Sequence, residues 1–304
     1  MEAHRRLMNF DQGIHSIHEI DVLSASKLFR LKINDEPYIY KEFTEKSGNE
    51  LEVYELIRQN IRVNIPRVIK IYTESPKGMI MEDLGVPLKR VGLNSSEKQS
   101  LLYQAVQSLS MIHSSGKMHS ERLLSMDSRR EYVDISNWSV WTLPMLQNLL
   151  KKNLSWFDEE SISTLRKIHS EFQRRFPEPS DEKTFNHGDP HLDNIFYKDD
   201  EIYFIDWEWA CVSSPLRDFT LFIQDVQKIH LIKELKNFYA KSLREQGYEI
   251  KRHKFDNDFN YYLCDNTMKM ISWNIEKFLK GFITQDALKE FLMSKERILN
   301  HFLK

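Results

Sequence analysis

The sequence predicts an α+β protein of two lobes, a small β-rich lobe at the N-terminus and a larger, mostly helical lobe after it. Short β-prone runs crowd the first 85 residues, and long segments with helical spacing follow Gly85. At 304 residues the chain is long enough to bury a real core, as one large domain or two modest ones. The boundary is placed near residue 85, giving domains 1–85 and 86–304, and a junction of this kind is a natural ligand cleft.

In the first lobe, Ile20–Leu23, Leu28–Ile33 and Tyr38–Phe43 read as strands, with a turn at Asn34-Asp35-Glu36-Pro37 between the last two. Glu50 to Asn60 reads as a helix, because Leu51, Tyr54 and Ile57 recur at helical spacing. Pro66–Tyr72 and Gly78–Met81 complete the order β-β-β-α-β-β. Lys41 shares a strand face with Ile39 and Phe43, a placement that a merely solvated lysine avoids.

Beyond Gly85, Ser95 to His113 puts Leu101, Leu102, Ala105, Leu109 and Ile112 on one helix face. Ser136–Asn153 and Asp158–Phe176 also read as helical, and Pro177 and Pro179 close that section. A β island follows at Ile195–Tyr197 and Ile202–Ile205. From Pro215 the chain is helical again, ending in Thr284–Phe302.

Composition narrows the class. Lys and Arg total 43 against 45 Asp and Glu, a formal net charge of −2, which argues against a general nucleic-acid binder. No stretch of about 18 uncharged apolar residues occurs, so no membrane span is expected. The N-terminus lacks the apolar region of a secretory signal. The two cysteines, Cys211 and Cys264, make neither a metal-ligand spacing nor a disulfide framework. The expectation is a cytoplasmic protein, monomer or homodimer, with no nucleic-acid or membrane partner.

The chemistry concentrates in His187-Gly188-Asp189-Pro190-His191-Leu192-Asp193-Asn194, followed by Ile205-Asp206-Trp207-Glu208. Phosphoryl transfer needs a group to accept the attacking hydroxyl's proton and hard oxygen ligands to hold Mg²⁺ across nucleotide phosphates. An Asp, four residues and an Asn on one loop meet both needs, with Asp189 as base and Asn194 as metal ligand. Asp206 supplies a second metal-binding carboxylate, because a hairpin of this length can return it beside Asn194. The spacing from His187 to His191 also suits zinc, but no third ligand follows at a fitting distance.

The Asp-to-Asn spacing matches the catalytic loop of protein kinases. With Gly188 in place of the usual arginine, and Asp206-Trp207-Glu208 in place of Asp-Phe-Gly, the sequence resembles the aminoglycoside phosphotransferase family, which belongs with choline kinase and related small-molecule kinases. The resemblance implies a protein-kinase-like fold and a Mg²⁺-dependent transfer from ATP (or GTP) to a small-molecule hydroxyl acceptor. It implies that Lys41 binds the α/β phosphates and that Glu50, or else Glu52, orients it. The backbone from Glu82 to Leu84 would hold the adenine, and Asp218 would brace the catalytic loop. The phosphate-covering loop departs from the pattern. It reads Leu23-Ser24-Ala25-Ser26-Lys27 without a glycine, so Ser24 and Ser26 would offer hydroxyls where backbone N–H groups usually approach.

The acceptor is less legible. Residues 189–225 hold nine acids and two bases, a balance that attracts a cation such as an aminoglycoside or choline. By resemblance, the acceptor region would include Asp158, Glu159 and Glu160, and the surroundings of Asp265, Trp273 and Glu276. Homoserine, sugars and other antibiotics remain in the same class of acceptor. The rival reading is a non-catalytic pseudokinase, or a structural or assembly protein that keeps the fold. The glycine-free loop supports that rival; the complete set Lys41, Asp189, Asn194 and Asp206 opposes it.

Overall fold

In a computed structural model of the chain, the structure describes residues 7, 13–20, 26–44, 50–92, 95–118, 138–176, 179 and 182–304. The chain divides into two compact units, residues 1–108 with 192–210, and residues 109–191 with 211–304. The division by compactness thus departs from the change of pattern at residue 85. It carries the β island into the first unit and splits one long helix.

The first unit is built on a five-stranded antiparallel sheet of β1 (Ile14–Ile20), β2 (Lys27–Ile33), β3 (Glu36–Glu42), β4 (Val68–Tyr72) and β5 (Gly78–Glu82), in the order β1-β2-β3-β5-β4. Helix α1 (Glu50–Asn60) joins β3 to β4. Asn34 and Asp35 turn β2 into β3 with φ of 50° and 66°, a left-handed pair that Asn and Asp tolerate and that matches strand twist.

The first strand corrects the expectation. It runs over Ile14–Ile20 rather than Ile20–Leu23, of which residues 21–23 lie outside the described residues. Ile14 and Ile17 are three residues apart, a spacing that does not read as a strand. A register shift between Ile14 and Ser16 lets both pack on the same core. That core gathers Phe29, Leu31, Ile33, Tyr40 and Ile80 on one face of the sheet. Lys41 follows Tyr40 and so points to the other face, toward α1.

The hairpin β7 (Ile195–Lys198) and β8 (Glu201–Phe204) also belongs to this unit, turning at Asp199 and Asp200 with φ of 51° and 63°. Phe204 N–H donates to the Asn64 carbonyl, which ties the hairpin to the segment before β4.

The second unit is mostly helical. Helix α2 (Ser95–Met118) enters it at Leu109. A π-helical turn at Trp138–Thr142 leads into α3 (Leu143–Leu150), followed by α4 (Glu159–Arg175), α5 (Pro215–Phe222), α6 (Ile229–Glu245), α7 (Arg252–Leu279) and α8 (Gln285–Leu303). Helix α7 is central and touches α3, α4, α5 and α8, burying Phe255, Phe259, Leu263, Met268 and Ile271. A two-stranded sheet of β6 (Thr184–Asn186) and β9 (Cys211–Ser213) escaped the sequence reading, because three residues are too few to show a period. Among the described residues, no helix is long and apolar enough to cross a membrane.

Candidate active site

In the sheet unit, Lys41 lies on β3 and Glu50 is the first residue of α1, entirely buried together with Tyr54. Lys41 Nζ sits 2.6 Å from Glu50 Oε2 and 2.7 Å from Asp206 Oδ1. Glu52 is exposed, because two residues along a helix point nearly opposite ways.

Asp206 follows β8 with φ 63° and ψ 62°. This backbone turn lets Trp207 sink fully into the core while the Asp206 carboxylate reaches the lysine. Ile205 N–H donates to the Asn194 carbonyl at 3.0 Å, so the hairpin ladder sets Asn194 and Asp206 at its open end, away from the turn at Asp199 and Asp200. Asn194 is itself buried. An amide and a carboxylate are hard oxygen donors, a set that fits Mg²⁺. Among the described residues, no group of three His, Cys, Asp or Glu side chains is arranged to hold a metal.

The electrostatics of the trio follow from burial. Desolvation alone would lower the Lys41 ammonium, but the two carboxylates outweigh it and hold its pKa above the ordinary value. Burial pushes the Glu50 carboxyl up from 4.5 to about 7, with Lys41 opposing. The folded protein therefore binds this proton more tightly than the unfolded chain. The resulting stability is complete below about pH 4.5 and is lost as pH rises toward about 7. Melting temperatures of wild type and Glu50→Gln should differ most in favour of wild type at the acid end of that window. A difference that stays constant from pH 4.5 to 7 would exclude this titration.

Glu82 ends β5, and its carboxylate accepts from Lys198. Asp83 accepts from Arg30 Nε at 2.7 Å and from the Gly85 N–H at 2.8 Å. Leu84 is buried. Ser26 is buried too, and Ser24 lies outside the described residues.

In the helical unit, β6 delivers His187, Gly188 and Asp189 in succession. Gly188 adopts φ 90°, a conformation that accounts for glycine there. Asp218, on α5 and fully buried, accepts from the His187 N–H at 2.6 Å and the Gly188 N–H at 2.9 Å. Burial works to raise its carboxyl, but His113, His187 and Arg217 outweigh that and hold it below the usual range. Asp189 N–H donates to His187 Nδ1 at 3.2 Å, and the Asp189 carboxylate lies 3.3 Å from His191 Nε2 with about a third of its side chain exposed.

The acceptor candidates have other partners. Asp158 caps α4 by accepting from the Ser161 N–H at 2.9 Å, and Glu159 and Glu160 occupy the first turn, where acids suit the helix dipole. On α7, Asp265 is buried and paired with Lys269 at 2.9 Å. Trp273 is 43% exposed with Lys277 beside its ring, and Glu276 pairs with Lys280. Cys211 and Cys264 are buried thiols. In the interior His113 meets Asp218 and Tyr239 meets His113; the sequence reading passed over both, and nothing in their local pattern marks them.

These features define a phosphotransferase scaffold, and the comparisons with known proteins agree. The model of the phosphotransferase enzyme family (APH) matches residues 28–250. The chain belongs to that family, and its α+β architecture is the protein-kinase-like one. It is 12–14% identical over nearly its full length to two solved structures. One is spectinomycin phosphotransferase APH(9)-Ia in complex with ADP and spectinomycin (14% identity, TM-score 0.69, 99% of this chain and 98% of that one). The second is amicoumacin kinase hAmiN in complex with AMP-PNP, Ca²⁺ and Ami (12%, TM-score 0.66, 98% and 94%). Among curated proteins, LicA of Haemophilus influenzae is 25% identical over 170 residues, 55% of each chain. Human acyl-CoA dehydrogenase family member 11 is 26% identical over 152 residues, 49% of this chain. The matched region thus spans about half the length of LicA and 18% of the human protein.

Proposed function

We propose that the protein transfers the γ-phosphoryl group of ATP, or of GTP, to a hydroxyl of a small molecule. The observation that carries the reading is the buried clamp on Lys41, whose ammonium meets Glu50 at 2.6 Å and Asp206 at 2.7 Å. A lysine fixed in this way presents a set charge to the α and β phosphates, and Glu50 limits where it can swing.

Asn194 and Asp206 would hold Mg²⁺, whose role when bound is to neutralise charge on the phosphates. Ser24, Ser26 and the backbone of Glu82 to Leu84 would complete the nucleotide's surroundings. Asp189 orients the acceptor hydroxyl and takes its proton as the oxygen bonds to the γ-phosphorus and the bond to the β-phosphate oxygen breaks. Catalysis on this scheme is mostly positioning and charge neutralisation.

The acceptor is an antibiotic such as an aminoglycoside, or a metabolite such as choline, homoserine or a sugar. The antibiotic kinases among the similar structures support the first, and both lie within the family's range. Asp158, Glu159, Glu160, Asp265, Trp273 and Glu276 are the positions to substitute once it is known.

The test is ADP release with Mg-ATP and a panel of aminoglycosides, macrolides, choline, homoserine and sugars, with Asp189→Ala as control. Acceptor-dependent release that disappears in the control supports the reading. Failure to bind Mg-ATP at all overturns it in favour of a non-catalytic protein. Nucleotide should also raise the melting temperature only when Mg²⁺ is present. Asp206→Ala should abolish that rise, and a rise that persists in the variant removes Asp206 from the metal site.

A further inference from the structure

We propose that His113 and Tyr239 are positioning residues for phosphoryl transfer, holding Asp218 and through it the backbone turn that carries Asp189. The proposal rests on the reading of Asp189 as the residue that meets the acceptor hydroxyl.

Four side chains, Asp218, His113, His187 and Tyr239, are wholly withdrawn from solvent. The Asp218 carboxylate accepts from two consecutive turn amides, and His113 Nε2 lies 3.3 Å from the same Oδ2 that His187 N–H reaches. An ionised carboxylate only accepts, so Nε2 carries a hydrogen toward it. The other ring nitrogen, Nδ1, lies 2.5 Å from the Tyr239 hydroxyl. That hydroxyl also donates to the Pro215 carbonyl at 3.3 Å. Tyr239, His113 and Asp218 thus form one chain of polar contacts, and the His187 and Gly188 amides donate to the two oxygens of the carboxylate at its end.

A second contact shows what this chain is placed to hold. Thr184 Oγ1 donates to the His113 carbonyl at 2.5 Å. Thr184 opens β6, and His187 and Gly188 leave it. One residue of α2 therefore grips both ends of the strand that delivers Asp189, by its backbone at the start and by its ring, through Asp218, at the exit. Tyr239 is fixed in turn by a parallel stack on Phe219, ring centroids 4.4 Å apart, one residue after Asp218. Loss of a donor in a dry interior frees the carboxylate to rotate, and a shift of about 1 Å in a reacting group is enough to cost ~100-fold in rate.

The test compares His113→Leu, His113→Gln and Tyr239→Phe. It measures kcat, the nucleotide KM and hydrogen exchange at the His187 and Gly188 amides. His113→Leu should lower kcat ~100-fold with the nucleotide KM little changed. Gln, whose side-chain N–H can still reach Asp218, should restore most of that loss. Tyr239→Phe keeps the stack and removes only the hydroxyl, so it should fold normally and lower kcat about tenfold. Both His113→Leu and Tyr239→Phe should speed exchange at the two amides. Unchanged exchange in both variants overturns the proposal, as does a His113→Gln no better than His113→Leu, which would mark lost packing instead of a lost donor. If His113→Leu does not fold, Tyr239→Phe decides alone. A wild-type protein that turns over no acceptor refutes the phosphotransferase reading, while the exchange data still decide whether His113 and Tyr239 hold the turn.

Discussion

Asp189→Asn is expected to lower kcat by ~10²–10⁴-fold, the usual contribution of a positioned proton acceptor. The substitution keeps the size of the side chain and removes its basicity. The turn itself should persist, because its anchors are the His187 and Gly188 amides on Asp218, not the Asp189 side chain. Lys41, Asn194 and Asp206 belong to the other compact unit together with Glu50, so Mg-nucleotide should still bind. The measurement is kcat alongside the nucleotide-induced melting shift. A normal shift with collapsed turnover is the predicted signature. Turnover near the wild-type rate would show that Asp189 is not the proton acceptor.

The second large effect is on stability. Lys41→Met should destabilise the protein by about 3–5 kcal/mol, the typical cost of breaking a buried ion pair by removing one member. The reason is the neighbourhood and not the lysine's own packing. Glu50 has no solvent exposure on its side chain, and without the ammonium it must either stay charged in a dry site or take up a proton. Lys41→Met with Glu50→Gln should therefore melt well above Lys41→Met alone, since the amide removes the stranded charge. A thermodynamic cycle over the two singles and the double isolates the pair's coupling. Additive losses would mean that Lys41 and Glu50 do not act as a pair.

Local signals carried much of this far. The turn at Asn34 and Asp35, the helix from Glu50 to Asn60 and the amphipathic run from Ser95 are each written within about a dozen residues, where period and turn chemistry operate. The H-G-D-x4-N run and the following Asp206 were equally legible, because their spacing is short and a hairpin ladder fixes how its ends meet. Legibility failed where the pattern was broken or brief. The register shift in the first strand disguised its apolar side, and the three-residue strands β6 and β9 have no period to read. That Asp158, a candidate for the acceptor region, also caps a helix depends on where the first turn begins.

What the sequence determined by itself was the class of protein and the family resemblance, and it supplied the side chains proposed to react. Tertiary structure decided which of two glutamates faces Lys41, that Asp206 arrives there from 165 residues away, and that His113 and Tyr239, 126 residues apart, close on the brace behind Asp189. The physical reason is range. Helix phase and turn geometry arise from neighbours in the chain, whereas a buried charge finds its partners only when distant segments exclude water together.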